Sequence, residues 1–268
     1  MHITLYPLIT HYSSLITINK MSQSINILYE DNHIIAVNKT HHDLVQKDAT
    51  GDVSLDDKVK QYLKEKYAKP GDVFLGVAHR LDRPVTGVVL FARTTKALTR
   101  LAKMFRDSRM KKTYWAIVKN SPPKASDRLE HHLVRNTSQN KSYCSENPKP
   151  GSKLAALSYR IIGRSDHYTL LEVDLETGRH HQIRAQLSHI GCPIKGDLKY
   201  GFPRSNPDGG ISLHAREISF MHPVMKKEIT ITAGTPEEDG LWQVFANTAT
   251  SKATTTPVPP QIPLLPSQ

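Results

Sequence analysis

The sequence predicts an α+β chain. Runs of strand character and runs of helical periodicity are both present, but they do not alternate as the regular strand–helix–strand units of a parallel α/β fold. With 268 residues and 38% hydrophobic content, the chain has enough apolar material for one large core. No internal repeat is visible.

Residues 1–24 match no periodic template and are expected to form an N-terminal tail. From Ile25, INILYE and HIIAVNK read as two strands joined at Asp31 and Asn32, a hairpin. Ser54 and Asp57 have capping-box spacing ahead of a helix over about 54–67, with Val59, Tyr62, Leu63 and Tyr67 on one face. GVVLFA, residues 87–92, is continuously apolar and reads as a buried strand. Behind it Leu98, Leu101, Ala102 and Phe105 share a helical face. KTYWAIV, residues 112–118, is a further strand, and the polar stretch 121–152 reads as irregular hairpins and loops. YTLLEVDL, residues 168–175, has strand character. Thr177 is then placed to cap a helix carrying Ile183, Leu187 and Ile190, stopped by Gly191 and Pro193. ISLH, EISF and KEITIT are short strands separated by turns. From Asn247 the chain turns to Thr, Pro, Ala and Ser, so a folded domain is expected over 25–246 and a disordered tail over 247–268.

A net charge of +11 gives the surface a field that attracts polyanions, of which nucleic acid is the commonest in a cytosol. A membrane partner is not expected, because no apolar run reaches the roughly 20 residues needed to span a bilayer. The opening 20 residues lack a basic leader and do not read as a signal peptide. Cys144 and Cys192 are too few for a disulfide framework, which fits free thiols in a reducing, cytoplasmic setting.

Three clusters could carry chemistry. In HRLDRPVTG, residues 79–87, Asp82 stands between Arg80 and Arg83 at a turn, where nearby guanidinium groups favour the ionised carboxylate. Such a group is either a nucleophile or electrostatic stabiliser, or an ordinary ion-paired turn residue. In ETGRHHQIRAQLSHIGCPIKGDLKYG, residues 176–201, Arg179, His180, His181 and Arg184 are expected in the first two turns of the helix, with His180 and Arg184 sharing a face. Cations there oppose the macrodipole unless an anion offsets them. In KKTYWAIV, Tyr114 faces away from Thr113 and Trp115 and is either a core residue or an aromatic plate for a base. Paired histidines at 41–42, 131–132 and 180–181 diverge on any regular element and lack HxxxH or CxxC company, so no metal is predicted. A phosphate-binding glycine loop and a GxSxG elbow are absent.

In this order, HRLDRPVTGVVLFA, KKTYWAIV, TGRHHQIRAQLSHIGCPIKGDLKYG and LHAREISFMHP make the chain resemble the RluA-type family of RNA pseudouridine synthases, from about Leu28 to Thr232. The resemblance implies the pseudouridine synthase fold, a long, mixed, mainly antiparallel sheet with flanking helices and a central basic cleft. It implies an isomerase that detaches the base of a uridine within ribosomal or transfer RNA and rejoins it through carbon, without cofactor or metal. Asp82 would be the catalytic carboxylate, Tyr114 the ring that stacks on the base and takes part in removing the C5 proton, and Arg184 the ion-pair partner of Asp82. Arg80 matches a residue that in relatives occupies the space left by the displaced base, and Arg83, Arg179 and His181 join it as expected RNA contacts. The chain departs from the family pattern after Lys39, where NKTHHDLVQ replaces NKPxG. No S4-type RNA-binding segment is recognisable before residue 28, so substrate choice is expected from the catalytic domain, its tails or the loops at 121–152. A monomer with no obligate protein partner is expected. The alternatives are a noncatalytic RNA-binding or ribosome-assembly module, and a nucleoside hydrolase, which needs a second carboxylate beside Asp82.

Overall fold

The computed structural model describes residues 25–48, 51–237 and 239–253. The expected tail at 1–24 and residues 254–268 lie outside the described residues. Strands β1 (Asn26–Glu30) and β2 (Ile34–Lys39) form the expected hairpin, and Asp31 Oδ1 accepts from the backbone N–H groups of His33 and Ile34 to close its turn. Helix α1 (Leu55–Lys66) follows, burying Val59 and Leu63. The Ser54 hydroxyl does not cap the backbone of α1 as the spacing suggested; it donates to the carboxylates of Asp56 and Asp57. Next come β3 (Gly76–Val77), β4 (Thr86–Ala92) and helix α2 (Thr95–Arg106), which Thr94 caps by accepting from the Ala97 N–H. Ala97 and Leu101 are the buried residues of α2, and Ala102, expected on that face, is exposed.

Strands β5 (Lys111–Val118), β6 (Ser126–Asn136), β7 (Lys141–Ser145), β8 (Lys153–Arg164) and β9 (Thr169–Leu175) form a continuous antiparallel series. The polar stretch 121–152, expected as irregular hairpins and loops, thus holds one regular hairpin, β6–β7, with a short loop at either end. Its period-2 burial rests on Leu129, His131 and Leu133, and the histidine together with the charged alternate positions hid the pattern. Helix α3 is short (Gln182–His189), and Gly191 ends it in the left-handed conformation as expected. A 3₁₀ turn (Leu198–Tyr200), strand β10 (Leu213–Met221) and strand β11 (Glu228–Thr232) precede helix α4 (Gly240–Ala253). The two strands expected at ISLH and EISF are one, β10, broken only by a register shift between Ala215 and Glu217. Helix α4 runs through the boundary expected at 246 and seals Trp242 and Phe245 against Trp115, Ile117 and Leu170.

All eleven strands belong to one sheet, ordered β1-β2-β4-β10-β5-β9-β8-β6-β7, with β3 pairing β4 and β11 pairing β10. Every ladder is antiparallel except β4 with β10. That parallel pair is close: a Cβ on Gly87, whose φ is 112°, would collide with the Ala215 backbone. Glycine at the end of HRLDRPVTG therefore lets β4 pass β10, and the loop before it opens beside the centre of the sheet.

Candidate active site

Asp82 lies in the loop between β3 and β4, and its carbonyl accepts from the Val85 N–H in a tight turn. The loop is pinned from below. Lys39, at the end of β2 and 1% exposed, donates from Nζ to the carbonyls of Thr40, Arg83 and Val85, each at 2.8 Å. Burial pushes its pKa down to about 7. The bonds to Arg83 and Val85 fix the segment that follows Asp82, so Lys39 performs a holding role that its sequence context did not reveal.

The carboxylate partner comes from α3. Arg184 Nη1 donates to Asp82 Oδ2 at 3.1 Å, while Arg184 Nε and Nη2 donate to the two oxygens of Asp197 at 2.7 and 2.9 Å. Burial works against the charge of Arg184, and the bonds and charge of Asp197, then of Asp82, outweigh it, so the guanidinium is held more firmly protonated than usual. Arg184 also lies over the Tyr200 ring, 5.0 Å from its centroid. The planar fork thus serves two carboxylates at once, an arrangement open to arginine and closed to lysine.

The neighbours in sequence do not do this work. Arg83 is turned away and pairs with Asp52 at 2.9 Å, although it still borders the cavity. Arg80 is exposed and makes no ion pair among the described residues. The loop 176–181 also departs from expectation. Arg179, His180 and His181 precede α3 instead of occupying its first turns, and Thr177 is no cap: its hydroxyl accepts from the Ala156 N–H and donates to Gln182 Oε1. The residue at the N-cap position is His181, in the left-handed region with φ 52°. Only Arg184 of the expected cluster is helical, so the predicted conflict with the macrodipole largely disappears.

Tyr114 on β5 faces the same cavity as Asp82 and Arg184, a concavity of about 530 Å³ that also has Val85, Ile183 and Leu213 in its wall. Burial, then the Asp82 charge, raises the Tyr114 phenol above its usual range, so the ring is uncharged at neutral pH. Asp82 is the only carboxylate lining that cavity among the described residues. A second cavity of about 670 Å³ adjoins it on the other side of Asp82, where Arg80, Arg135, Arg179 and Lys199 make no ion pair among the described residues. Elsewhere on the surface Arg128 and Arg160 are paired with Glu176 and Glu172. Basic side chains without ion pairs, gathered around the loop that carries Asp82, make an anion-binding arrangement.

Sequence reasoning also missed a trio remote in sequence. Nitrogen atoms of His131 and His189 lie 3.4 and 3.0 Å from Glu146 Oε1, with all three ligand atoms within 4.8 Å of one another. The Gln186 amide N–H donates to His131 Nδ1, which leaves the proton on Nε2, directed at Glu146. So protonated, the trio is a self-satisfied clamp between β6, β7 and α3. The residues missed behind the cavity wall are Asp197, Tyr200 and Lys39, which hold Arg184, His181 and the Asp82 loop. GDLKYG holds the first two and was quoted, but nothing in its spacing says that its aspartate grips Arg184.

A family model described as RNA pseudouridylate synthase matches residues 33–189. The chain is 32% identical over 231 residues to ribosomal large subunit pseudouridine synthase D of Xylella fastidiosa, covering 80% of this chain and 67% of the relative. It is 29% identical over 241 residues to tRNA pseudouridine synthase C of Haemophilus influenzae, covering 83% of this chain and 97% of the relative. Its fold is that of human RNA pseudouridylate synthase domain containing 4, with a TM-score of 0.69 at 20% sequence identity over 90% of this chain and 98% of the other. The chain belongs to the RNA pseudouridine synthase family, in its RluA-type branch.

Proposed function

We propose that this RNA pseudouridine synthase uses Asp82 as its catalytic carboxylate on a uridine of ribosomal or transfer RNA. The observation that carries the reading is the approach of Arg184 Nη1 to Asp82 Oδ2 at 3.1 Å, in a cavity walled by Tyr114. The guanidinium orients one carboxylate oxygen, and a carboxylate so placed can act as an oxygen nucleophile. Isomerisation breaks the bond from N1 to C1′, forms a bond from C5 to C1′, and moves the C5 proton off while N1 gains one. No atom is lost, so neither oxidant nor co-substrate is required.

The uridine must leave its stack, at a cost of a few kcal/mol that stacking and phosphate contacts repay. Tyr114 offers an uncharged ring face to the everted base, and its oxygen lies on the route for the C5 proton. Arg80, with no ion pair of its own, is suited to fill the gap in the RNA. Arg179 and the exposed Arg83 contact the backbone around it. His181 was expected among these contacts; its Nδ1 is bonded to the Tyr200 hydroxyl and its Nε2 faces Asp82 Oδ2 at 3.4 Å. The enzyme acts as a monomer in the cytoplasm, a reading supported by one continuous sheet and by two free thiols.

Release of tritium from C5-labelled uridine in transcribed ribosomal and transfer RNA tests this. The wild-type protein releases it, and Asp82→Asn, folded by circular dichroism, does not. Normal release by that variant overturns the assignment of Asp82. Salt-sensitive RNA binding with no release from any RNA marks the noncatalytic module instead. Free uracil as product marks a hydrolase, a reading disfavoured because, among the described residues, no second carboxylate lines the cavity that Asp82 shares with Tyr114.

A further inference from the structure

The ring of His181 lies in the wall of the cavity with both nitrogens engaged. Its Nδ1 is 3.0 Å from the Tyr200 hydroxyl, and its Nε2 is 3.4 Å from Asp82 Oδ2. The same hydroxyl accepts from the Ser142 N–H at 2.8 Å, so its single proton is free to go to His181 Nδ1. That leaves the histidine proton on Nε2, facing the carboxylate. Asp82 Oδ2 thus meets Arg184 Nη1 and His181 Nε2, whereas no hydrogen-bond donor among the described residues reaches Oδ1.

We propose that His181 and Tyr200 are positioning residues for Asp82: the hydroxyl fixes the ring, and the ring fixes Oδ2, so that Oδ1 is the oxygen left to react. This deepens the synthase reading and rests on it. A second, independent observation is the backbone. His181 is held at φ 52°, a left-handed conformation that a residue with a Cβ keeps only where its surroundings enforce it. The enforcement is visible. The Ser142 hydroxyl donates to the His180 carbonyl at 2.7 Å, the His181 carbonyl accepts from the Ala185 N–H at 2.9 Å, and the His180 ring stacks on that of His181 at 3.8 Å. Strained backbone spent on aiming a side chain at the paired carboxylate belongs to a functional device.

The charged and titratable groups around the ring agree with an uncharged donor. Burial lowers the His181 pKa to about 3; Asp82 alone opposes this, while Arg184, His180 and Lys199 add to it. Burial raises the Tyr200 phenol to about 12, so its proton is retained. The 3.4 Å separation exceeds an ordinary hydrogen bond, as such contacts do before substrate draws the groups together.

The test is a set of variants in the full chain, measured by single-turnover pseudouridine formation at saturating RNA, by RNA affinity, and by ¹⁵N resonance of the His181 ring. His181→Phe, which keeps a ring and loses the donor, is expected to slow turnover about tenfold to a hundredfold with RNA affinity within about twofold. His181→Gln, which restores an N–H, is expected to recover part of the rate. In the wild type the ring is expected to carry its proton on Nε2, and Tyr200→Phe is expected to shift the Nδ1 resonance. A proton on Nδ1, or a loss of RNA affinity with the saturated rate unchanged, overturns the proposal, and the second result makes His181 the RNA contact. The ring resonances report on the bond chain even if the wild-type protein modifies no RNA, so failure of the synthase reading is separately visible.

Discussion

Arg184 shows how much can hang on one guanidinium. Its Nε and Nη2 are committed to Asp197, which is 1% exposed, and only Nη1 is left for Asp82. Removing the grip strands a buried charge, and breaking such pairs costs about 3–5 kcal/mol. Asp197→Asn is therefore expected to lower stability by about that amount in urea denaturation and to slow turnover at least about tenfold at saturating RNA, because Nη1 is no longer aimed. Unchanged turnover would mean that Asp197 is only structural. Arg184→Lys is not conservative here, since an ammonium group cannot span both carboxylates in the fork geometry. Asp82, Tyr114 and Arg184 were legible because each stands in a distinctive local string. Asp197 and Tyr200 were not, because their roles depend on which side chains arrive from elsewhere.

At the scale of elements, the loop carrying Asp82 is set by its two flanks. Gly87 permits the parallel approach of β4 to β10, and Lys39 ties the loop to the end of β2. Gly87→Ala brings both a strained φ and a collision with Ala215, and is expected to destabilise by about 3 kcal/mol or more. A urea midpoint within experimental error of wild type would contradict the close approach. Lys39→Met leaves three carbonyls without their donor and is expected to cost about 3 kcal/mol while lowering turnover, read from the same denaturation and tritium assays. The hairpin, α1, α2, β4, β5 and β9 were readable from periodicity. Strand β6 was not, because a strand that buries a histidine among polar neighbours lacks the apolar alternation that marks a half-buried strand. The start of α3 was misplaced for a different reason: the Thr177 hydroxyl accepts from the Ala156 N–H of a neighbouring strand instead of from the helix backbone.

For the molecule as a whole, burial of neutral imidazoles couples the fold to pH. His181 and His214 have pKa values pushed by burial to about 3 and about 4. An unfolded chain takes up a proton at each near pH 6.5 that the folded chain refuses, so stability is complete above that pH and falls as pH drops toward the folded values. At pH 5 each ring withdraws about 2 kcal/mol. Urea midpoints at pH 7.5 and pH 5.0 check this; equal midpoints would mean that these rings titrate normally. Ordered motifs, periodic elements and basic charge, all local or additive properties, were enough for the sequence to determine the α+β class and the family, and to single out Asp82, Tyr114 and Arg184 as candidates. Which donors reach Asp82, which arginine turns away to Asp52, and how Asp197, Tyr200 and His181 converge were decided only by tertiary structure. The contacts on Asp82 join segments about a hundred residues apart, and all these distances follow from how the strands and α3 pack, which no local pattern encodes.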